Sequence, residues 1–426
     1  MAGPMTVSPS RARDANFGRI TDEGIERLRA RIGVEVPKEP LLHVFNEHAT
    51  TDTIRHFANG YGDDNPLYTD PEYASATRWG GMIAPPTFLT TTGVSAAPPL
   101  SEEQRERGGG ALAGVHAFWS GNAIGWFRPV VPGDRLVERR FLHSFDIKQS
   151  AFTGGRSVVE RHRSAFADAS ERVVAHWDRI MVRAERESSR KTGRYTAIER
   201  PRWTAEQVDE VERALDAEAV RGAEPRWAED VRPGDELGPY LRGPLTLSDI
   251  IAWYQGSGRW ELHPYRLARR NRRRHPGFFT RNAFGAHEPV MRCHWDDAYA
   301  QETGNPYAYD FGQLRTAWCV HLITDWMGDD GWLWALENRL RRFNYIGDLT
   351  TVRGHVTATQ VVDGRHVAEI EIHCTNQRGE DTAPGRVLVL LPSRADGPAR
   401  LPGPEEPMPW SAVDSGGAAA EAEGSA

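Results

Sequence analysis

Residues 61–88 read YGDDNPLYTDPEYASATRWGGMIAPPTF. Asp63, Asn65 and Pro66 are turn formers, because Asp and Asn side chains bond neighbouring backbone groups and proline fixes φ. The Asp63 carboxylate on this polar loop is also a group that carries acid–base chemistry. Pro85-Pro86 then marks a helix start, where a missing N–H costs little. Much of this stretch is written a second time. Tyr68, Asp70, Tyr73 and Ala74 are answered by His294, Asp296, Tyr299 and Ala300, 226 residues on. Gly133-Asp134 is answered by Gly347-Asp348, and GRSVVE (155–160) by GRHVAE (364–369), at offsets of 214 and 209. Three ordered matches at nearly constant offset read as an internal duplication with small insertions.

The repeat sets the expected organisation: an extension over 1–32, a first unit over 33–190, a linker over 191–225, a second unit over 226–395 and a disordered tail over 396–426. Each unit carries the same order of signals. A short helix opens near Thr51 or Asp52 in the first and Ser248 in the second, residue types that cap helix N-termini. A polar loop follows, then a longer helix. In the second unit that helix is GQLRTAWCVHLITDWMG (312–328), where Leu314, Trp318, Leu322 and Trp326 recur every fourth position. The spacing predicts a helix buried on one face and stopped at Gly328. Alternating segments such as RVVAHWDRIMVR (172–183) and RVLVLLP (386–392), with polar turns at Asp168–Glu171 and Asn376–Glu380, predict antiparallel strands. The fold class is therefore α+β. The linker is expected to be partly helical over 205–219, and the tail is too poor in apolar residues to pack.

Composition narrows the function. The 426 residues include 52 basic and 59 acidic ones, a formal net charge of −7. That balance argues against non-specific binding to nucleic acid, which needs a basic excess. Three cysteines, Cys293, Cys319 and Cys374, cannot build a disulfide framework, and no CxxC pair suggests structural zinc. The N-terminus lacks an apolar leader and no long uncharged apolar stretch occurs, so a soluble, cytoplasmic protein is expected. The 14 Trp suggest large apolar walls. Trp79, Trp119, Trp126, Trp253, Trp260, Trp318 and Trp326 suit a core, some of them a substrate tunnel.

Residues 61–88 resemble the MaoC-like (R)-specific enoyl-CoA hydratases and 3-hydroxyacyl dehydratases in their double hot-dog form. Their motif is Gly-Asp-x-Asn-Pro-x-His-x-Asp, followed by a helix start of the form Ile-Ala-His-Gly. The resemblance covers the first unit in detail and the second more loosely. It implies two antiparallel sheets, each wrapped round a central helix. It also implies an Asp and a His that activate water at a 2-enoyl thioester, with a backbone N–H at the helix start on the thioester carbonyl. Such chemistry needs a base for water, an acid for the α-carbon and a donor for the enolate oxygen. It calls for no cofactor and no metal.

Mapped residue by residue, the motif is split. Gly62-Asp63-Asp64-Asn65-Pro66 fits in the first unit, but Tyr68 stands at the His position. Pro86 stands at the glycine position, with no N–H to give. The second unit carries His294 and Gly312 in register with Tyr68 and Pro86, but lacks the Asp-bearing stretch; Glu261 and Glu288 are positional candidates for its carboxylate. The resemblance thus assigns His294 as acid/base and the Gly312 N–H as carbonyl donor, with Asp63, Asn65 and Tyr68 as a second cluster. A catalytic group donated from one unit to the other is conceivable. His263 is a further polar candidate. The run RLARRNRRRH (266–275), with Arg270 and Arg273, is either a solvated face or a patch for coenzyme A phosphates. Cys293, His294 and Asp296 have no second spaced cluster, so no metal is expected there.

The leading expectation is a hydro-lyase acting on an acyl-CoA or acyl-carrier-protein thioester, as a homodimer or with another hot-dog subunit. The alternatives are a non-catalytic acyl-CoA-binding or structural subunit of a heteromeric dehydratase, and a hot-dog thioesterase.

Overall fold

A computed structural model of the chain describes residues 18–37, 45–150, 155–185, 198–258 and 262–403. The first half supplies strands β1 (Val94–Ser95), β2 (His116–Trp126), β3 (Val137–Ser150), β4 (Gly155–Ala167) and β5 (Val173–Ala184). The second half supplies β6 (Glu236–Arg242), a separate hairpin of β7 (Phe279–Arg281) and β8 (His287–Pro289), then β9 (Trp332–Arg339), β10 (Thr350–Val362), β11 (Arg365–Asn376) and β12 (Gly385–Leu391). All but the hairpin join one ten-stranded sheet in the order β1-β3-β4-β5-β2-β9-β12-β11-β10-β6. That order reads the same from either edge, half for half. The seam is the antiparallel pair β2–β9, in which Asn122 faces Asn338.

Ten helices accompany the strands among the described residues: α1 (Asp22–Arg29), α2 (Thr51–Asn59), α3 (Pro66–Thr69), α4 (Pro71–Ser75), α5 (Glu102–Gly108), α6 (Ala205–Asp216), α7 (Leu247–Ser257), α8 (Tyr265–Arg274), α9 (Asp297–Glu302) and α10 (Gly312–Met327). The caps of α2 and α7 fall one and two residues before the expected ones, at Thr50 and Thr246, each closing a reciprocal capping box. The turn chemistry of the duplication is also repeated. The Gly133 N–H bonds the Ala49 carbonyl and the Ala49 N–H that of Asp134, both at 2.8 Å. Gly347, Leu245 and Asp348 make the same pair of bonds at 2.7 and 2.8 Å. Asp70 and Asp296, matched in sequence, cap α4 and α9 with nearly identical backbone angles.

The two halves differ where the central helix belongs. In the second half α10 runs for 16 residues and packs on β2, β6, β9, β10 and β11. Every residue from Leu314 to Met327 is buried. The one-sided stripe expected from Leu314, Trp318, Leu322 and Trp326 is thus corrected to burial all round, because the sheet covers one side and the first half the other. In the first half the helix expected after Pro85-Pro86 is a single 3₁₀ turn, Pro86–Thr90. The β-branched run Thr90-Thr91-Thr92 and Gly93, at φ 93°, end it there.

Segments outside the repeat are also built in. Ile20, Ile25 and Leu28 of the extension form a small core with Leu112, Val115, Leu142 and Val158. The linker segment 198–225 carries α6, and beyond it the Gly222 carbonyl accepts the Asp329 N–H at 2.9 Å. Of the expected tail, 396–403 packs on the body, with Ala399 buried and its carbonyl accepting from Arg78 at 2.9 Å. Residues 404–426 lie outside the described residues, as do Trp260 and Glu261.

Candidate active site

Three segments converge on the C-terminal half of α10. The first is the 61–68 loop. Gly62 turns the chain after α2 at φ 82°, a conformation that glycine adopts without strain. The Asp63 N–H then bonds the Ala58 carbonyl at 3.1 Å, and Asp63 Oδ1 accepts the Asn65 N–H at 3.1 Å. Asn65 in turn caps α3, accepting the Leu67 N–H at 3.0 Å. The turn-forming reading of Asp63 and Asn65 therefore holds, and the same turn sets Asp63 Oδ1 3.6 Å from His321 Nε2. The second segment is α10 itself, which presents His321 and Asp325 one turn apart. The third is β6, which brings Tyr240 and Arg242.

The carboxylates of Asp63 and Asp325 flank one nitrogen of His321. Its Nε2 lies 3.1 Å from Asp325 Oδ2 and 3.6 Å from Asp63 Oδ1. The other ring nitrogen, Nδ1, is 2.9 Å from Arg242 Nη2. A guanidinium only donates, so Nδ1 accepts and the ring proton of the neutral imidazole sits on Nε2, toward the carboxylates. Tyr61 donates to Asp63 at 2.7 Å, and Tyr240 to Asp325 at 2.7 Å. Their rings meet His321 edge-on at 5.9 and 5.5 Å between centroids. The Asn65 amide reaches Asp325 at 3.4 Å. Arg242 is anchored by Glu218 of the linker at 2.6 Å.

All three acid–base groups are nearly sealed from solvent, at 1%, 2% and 3% exposure for Asp63, His321 and Asp325. Burial raises the Asp63 pKa; the His321 ring pulls it back and the Asp325 charge pushes it up again, leaving it above the usual carboxylate range. Burial works to lower the His321 pKa, but Asp63 and Asp325 outweigh it and the net shift is upward. Tyr68 is pushed far up by burial and by the Asp63 charge, so its hydroxyl stays a donor. A carboxyl whose pKa is lifted toward neutrality beside a fixed imidazole is the arrangement that reversible proton transfer requires.

A small, mainly apolar cleft adjoins this cluster. Asn65, Tyr68 and Thr324 are its polar lining, and Trp79, Trp126, Trp332, Met327 and Leu333 form apolar walls. Pro85 and Pro86 also border it. The space is thus beside the turn that stands in place of the first half's central helix. Asn65 reaches both Asp63 and the cleft, so the chemistry and the apolar space share a boundary residue.

The residues singled out in the sequence fall in several places. Asp63, Asn65 and Tyr68 come together with His321 and Asp325, two residues between the members of the apolar repeat of α10 that the sequence reading did not single out. His294 sits in the second half's equivalent loop, where its ring lies on Phe311 at 3.7 Å between centroids. Its Nδ1–H donates to the Tyr309 carbonyl at 2.8 Å. Burial pushes the neighbouring Cys293 thiol up to about 11, which keeps it protonated. Gly312 opens α10 nine residues before His321, about 13 Å along the axis. A Cβ at Gly312 would stand 2.2 Å from Leu340 Cδ1, so glycine there serves close packing. His263 is half-buried just before α8, and Arg270 and Arg273 are exposed on that helix. Glu288 accepts from Asn282 at 2.8 Å. No described helix is long and apolar enough to cross a membrane.

Known proteins align with this picture. The family described as FAS1-like, dehydratase domain region, matches residues 39–176. A UPF0336 protein of Streptomyces avermitilis is 35% identical over 134 residues, 32% of this chain and 83% of its own length. A UPF0336 protein of Streptomyces coelicolor is 33% identical over 135 residues, 32% of this chain and 84% of its own. Among solved structures, one titled MaoC-like dehydratase superposes with a TM-score of 0.57 at 17% identity, over 85% of this chain and 99% of that one. The double hot-dog fold is shared.

Proposed function

The chain belongs to the UPF0336 protein family, and from the meeting of Asp63 with His321 beside an apolar cleft we propose that it is a hydro-lyase on acyl thioesters. The reaction is reversible hydration of a 2-enoyl thioester to the 3-hydroxyacyl thioester. The acyl chain lies between Trp79, Trp126 and Trp332, and water is held at the Asp63 end. Asp63 takes a proton from water as its oxygen bonds to C3. The electrons of the double bond move onto the thioester carbonyl as an enolate, and the protonated Asp63 returns a proton to C2 on the same face. The sum is addition of one water.

The surrounding groups have separate parts. The His321 Nε2–H is donated to Asp325 at 3.1 Å while the ring steadies the Asp63 carboxylate electrostatically from 3.6 Å, and Arg242 keeps that proton on Nε2. Asp325 raises the basicity of Asp63 by its like charge. The Tyr68 hydroxyl donates to the developing enolate oxygen, taking the place of the N–H that Pro86 lacks. His294 has no part in this scheme. The observation that carries the reading is the Asp63–His321 contact, a carboxylate from one half and an imidazole from the other.

The test follows loss of the conjugated thioester's ultraviolet absorbance as enoyl-CoA is hydrated. Asp63→Asn and His321→Gln are each expected to lower kcat by roughly 10²–10⁴, while His294→Gln retains turnover. Wild-type rates in both of the first two variants would overturn the assignment. Acyl-CoA binding without turnover by the wild-type chain would favour a binding subunit instead.

A further inference from the structure

On the outer face of the second half's sheet, away from the cleft, three metal-binding side chains meet. His355 on β10 is directly opposite Glu371 on β11, and His373 follows two residues later on the same face. His355 Nε2 is 3.7 Å from Glu371 Oε2, and His373 Nε2 is 3.8 Å from Glu371 Oε1. The two imidazoles are parallel within 5°, with centroids 6.4 Å apart. One ligand atom from each of the three lies within 4.8 Å of the others. We propose that His355, Glu371 and His373 bind a divalent transition-metal ion of the zinc type, with one coordination position open to solvent.

The surroundings suit that role. Asp381 accepts from His373 Nδ1 at 2.7 Å, which fixes the tautomer and leaves the Nε2 lone pair toward Glu371. A carboxylate on the far nitrogen is the usual support of a metal-binding histidine. Asp381 is itself held by the Cys374 and Ala383 N–H groups, both at 3.3 Å. On its other side His355 faces Glu236 of β6, a further carboxylate on the same face. Zinc–ligand bonds of about 2.1 Å at tetrahedral angles separate ligands by about 3.4 Å. The three groups therefore close by small side-chain rotations, which their exposure permits: 43%, 51% and 35%. Arg353, opposite His373, is the opposing charge on this face; Arg386, opposite Glu371, is bonded to Glu337 at 3.0 Å. Imidazole with carboxylate selects zinc, cobalt or nickel over calcium and magnesium.

The experiment uses the full chain without a histidine tag, stripped with chelator and dialysed. Zinc is titrated calorimetrically, and cobalt in parallel by its visible absorption. One equivalent is expected to bind, with nitrogen-ligated cobalt absorption. His355→Ala and His373→Ala should each weaken binding at least 100-fold, and the double variant should abolish the cobalt spectrum. Asp381→Ala should weaken it roughly 10–100-fold. Asp381→Asn, which keeps an acceptor for Nδ1–H, should recover part of that loss. These side chains are on the surface, so the variants fold, as circular dichroism would verify. Absence of zinc binding by the wild-type chain overturns the proposal. So does equal binding by the His355→Ala/His373→Ala variant.

Discussion

A methyl group placed on Gly60 would stand 2.7 Å from the Cα of Gly256, and one placed on Gly256 only 2.5 Å from the Cα of Gly60. The two glycines are equivalent in the duplication, ten residues beyond the caps Thr50 and Thr246, so α2 and α7 touch backbone to backbone. Gly60→Ala or Gly256→Ala must push these helices apart, an overpacking that costs about 1–3 kcal/mol. Urea denaturation of either variant is expected to show a lower midpoint with unchanged slope. Because α2 leads directly into the Asp63 loop, hydration activity should fall as well.

Arg242 ties Glu218 to the Nδ1 of His321. Arg242→Ala leaves a histidine nitrogen without its donor and a glutamate without its partner. Removing one side of a buried ion pair costs about 3–5 kcal/mol; with Glu218 at 17% exposure, the expected loss is nearer about 2–3 kcal/mol. Chemical denaturation measures it. Lysine is not expected to restore the site, since it lacks the planar fork that spans both partners.

Tyr68→Phe removes a hydroxyl and leaves the packing of the ring. If that hydroxyl stabilises the enolate, kcat should fall roughly 10²–10³ while stability changes little. Steady-state kinetics beside a thermal melt separates the two effects. An unchanged kcat would leave Tyr68 as a wall of the cleft only.

The first half carries an acid-sensitive contact on the sheet. Burial alone would raise the Glu160 pKa, but the hydrogen bond from His162, at 2.8 Å, and the Arg183 guanidinium, at 3.0 Å, hold it below its ordinary value of 4.5. A depressed carboxylate contributes stability above the unfolded pKa, and that contribution is lost as pH falls through the folded value. Glu160→Gln should therefore be less stable than the parent at neutral pH, with the difference shrinking below pH 4.5. Denaturation midpoints across that range would show it.

The sequence revealed the halves more readily than it revealed their meeting point. Asp70 with Asp296 and Gly133 with Gly347 are caps and tight turns whose backbone needs particular residues, so the duplication survives in their letters. Asp63 and Asn65 were legible for the same reason. His321 was not. A four-residue apolar repeat marks one buried stripe, and residues between its members read as solvent-facing; here the sheet and the first half close over the helix from both sides. The available signal was a His and an Asp one turn apart inside a run with few other charges. That Asp63 would find its imidazole 258 positions later depends on how the halves pair, which periodicity within either half does not encode.

The segment expected to be a mere connector has a further consequence. Glu218 grips Arg242, the Ala219 carbonyl accepts from Tyr240 at 3.5 Å, and the Arg221 N–H bonds the Asp325 carbonyl at 3.2 Å. The join between the repeats is therefore a buttress for the cluster around His321. Two half-chains produced separately and cut within this stretch are expected to pair along the β2–β9 seam but to leave Arg242 without its Glu218 partner, so the fused gene serves the geometry around His321 more than it serves assembly.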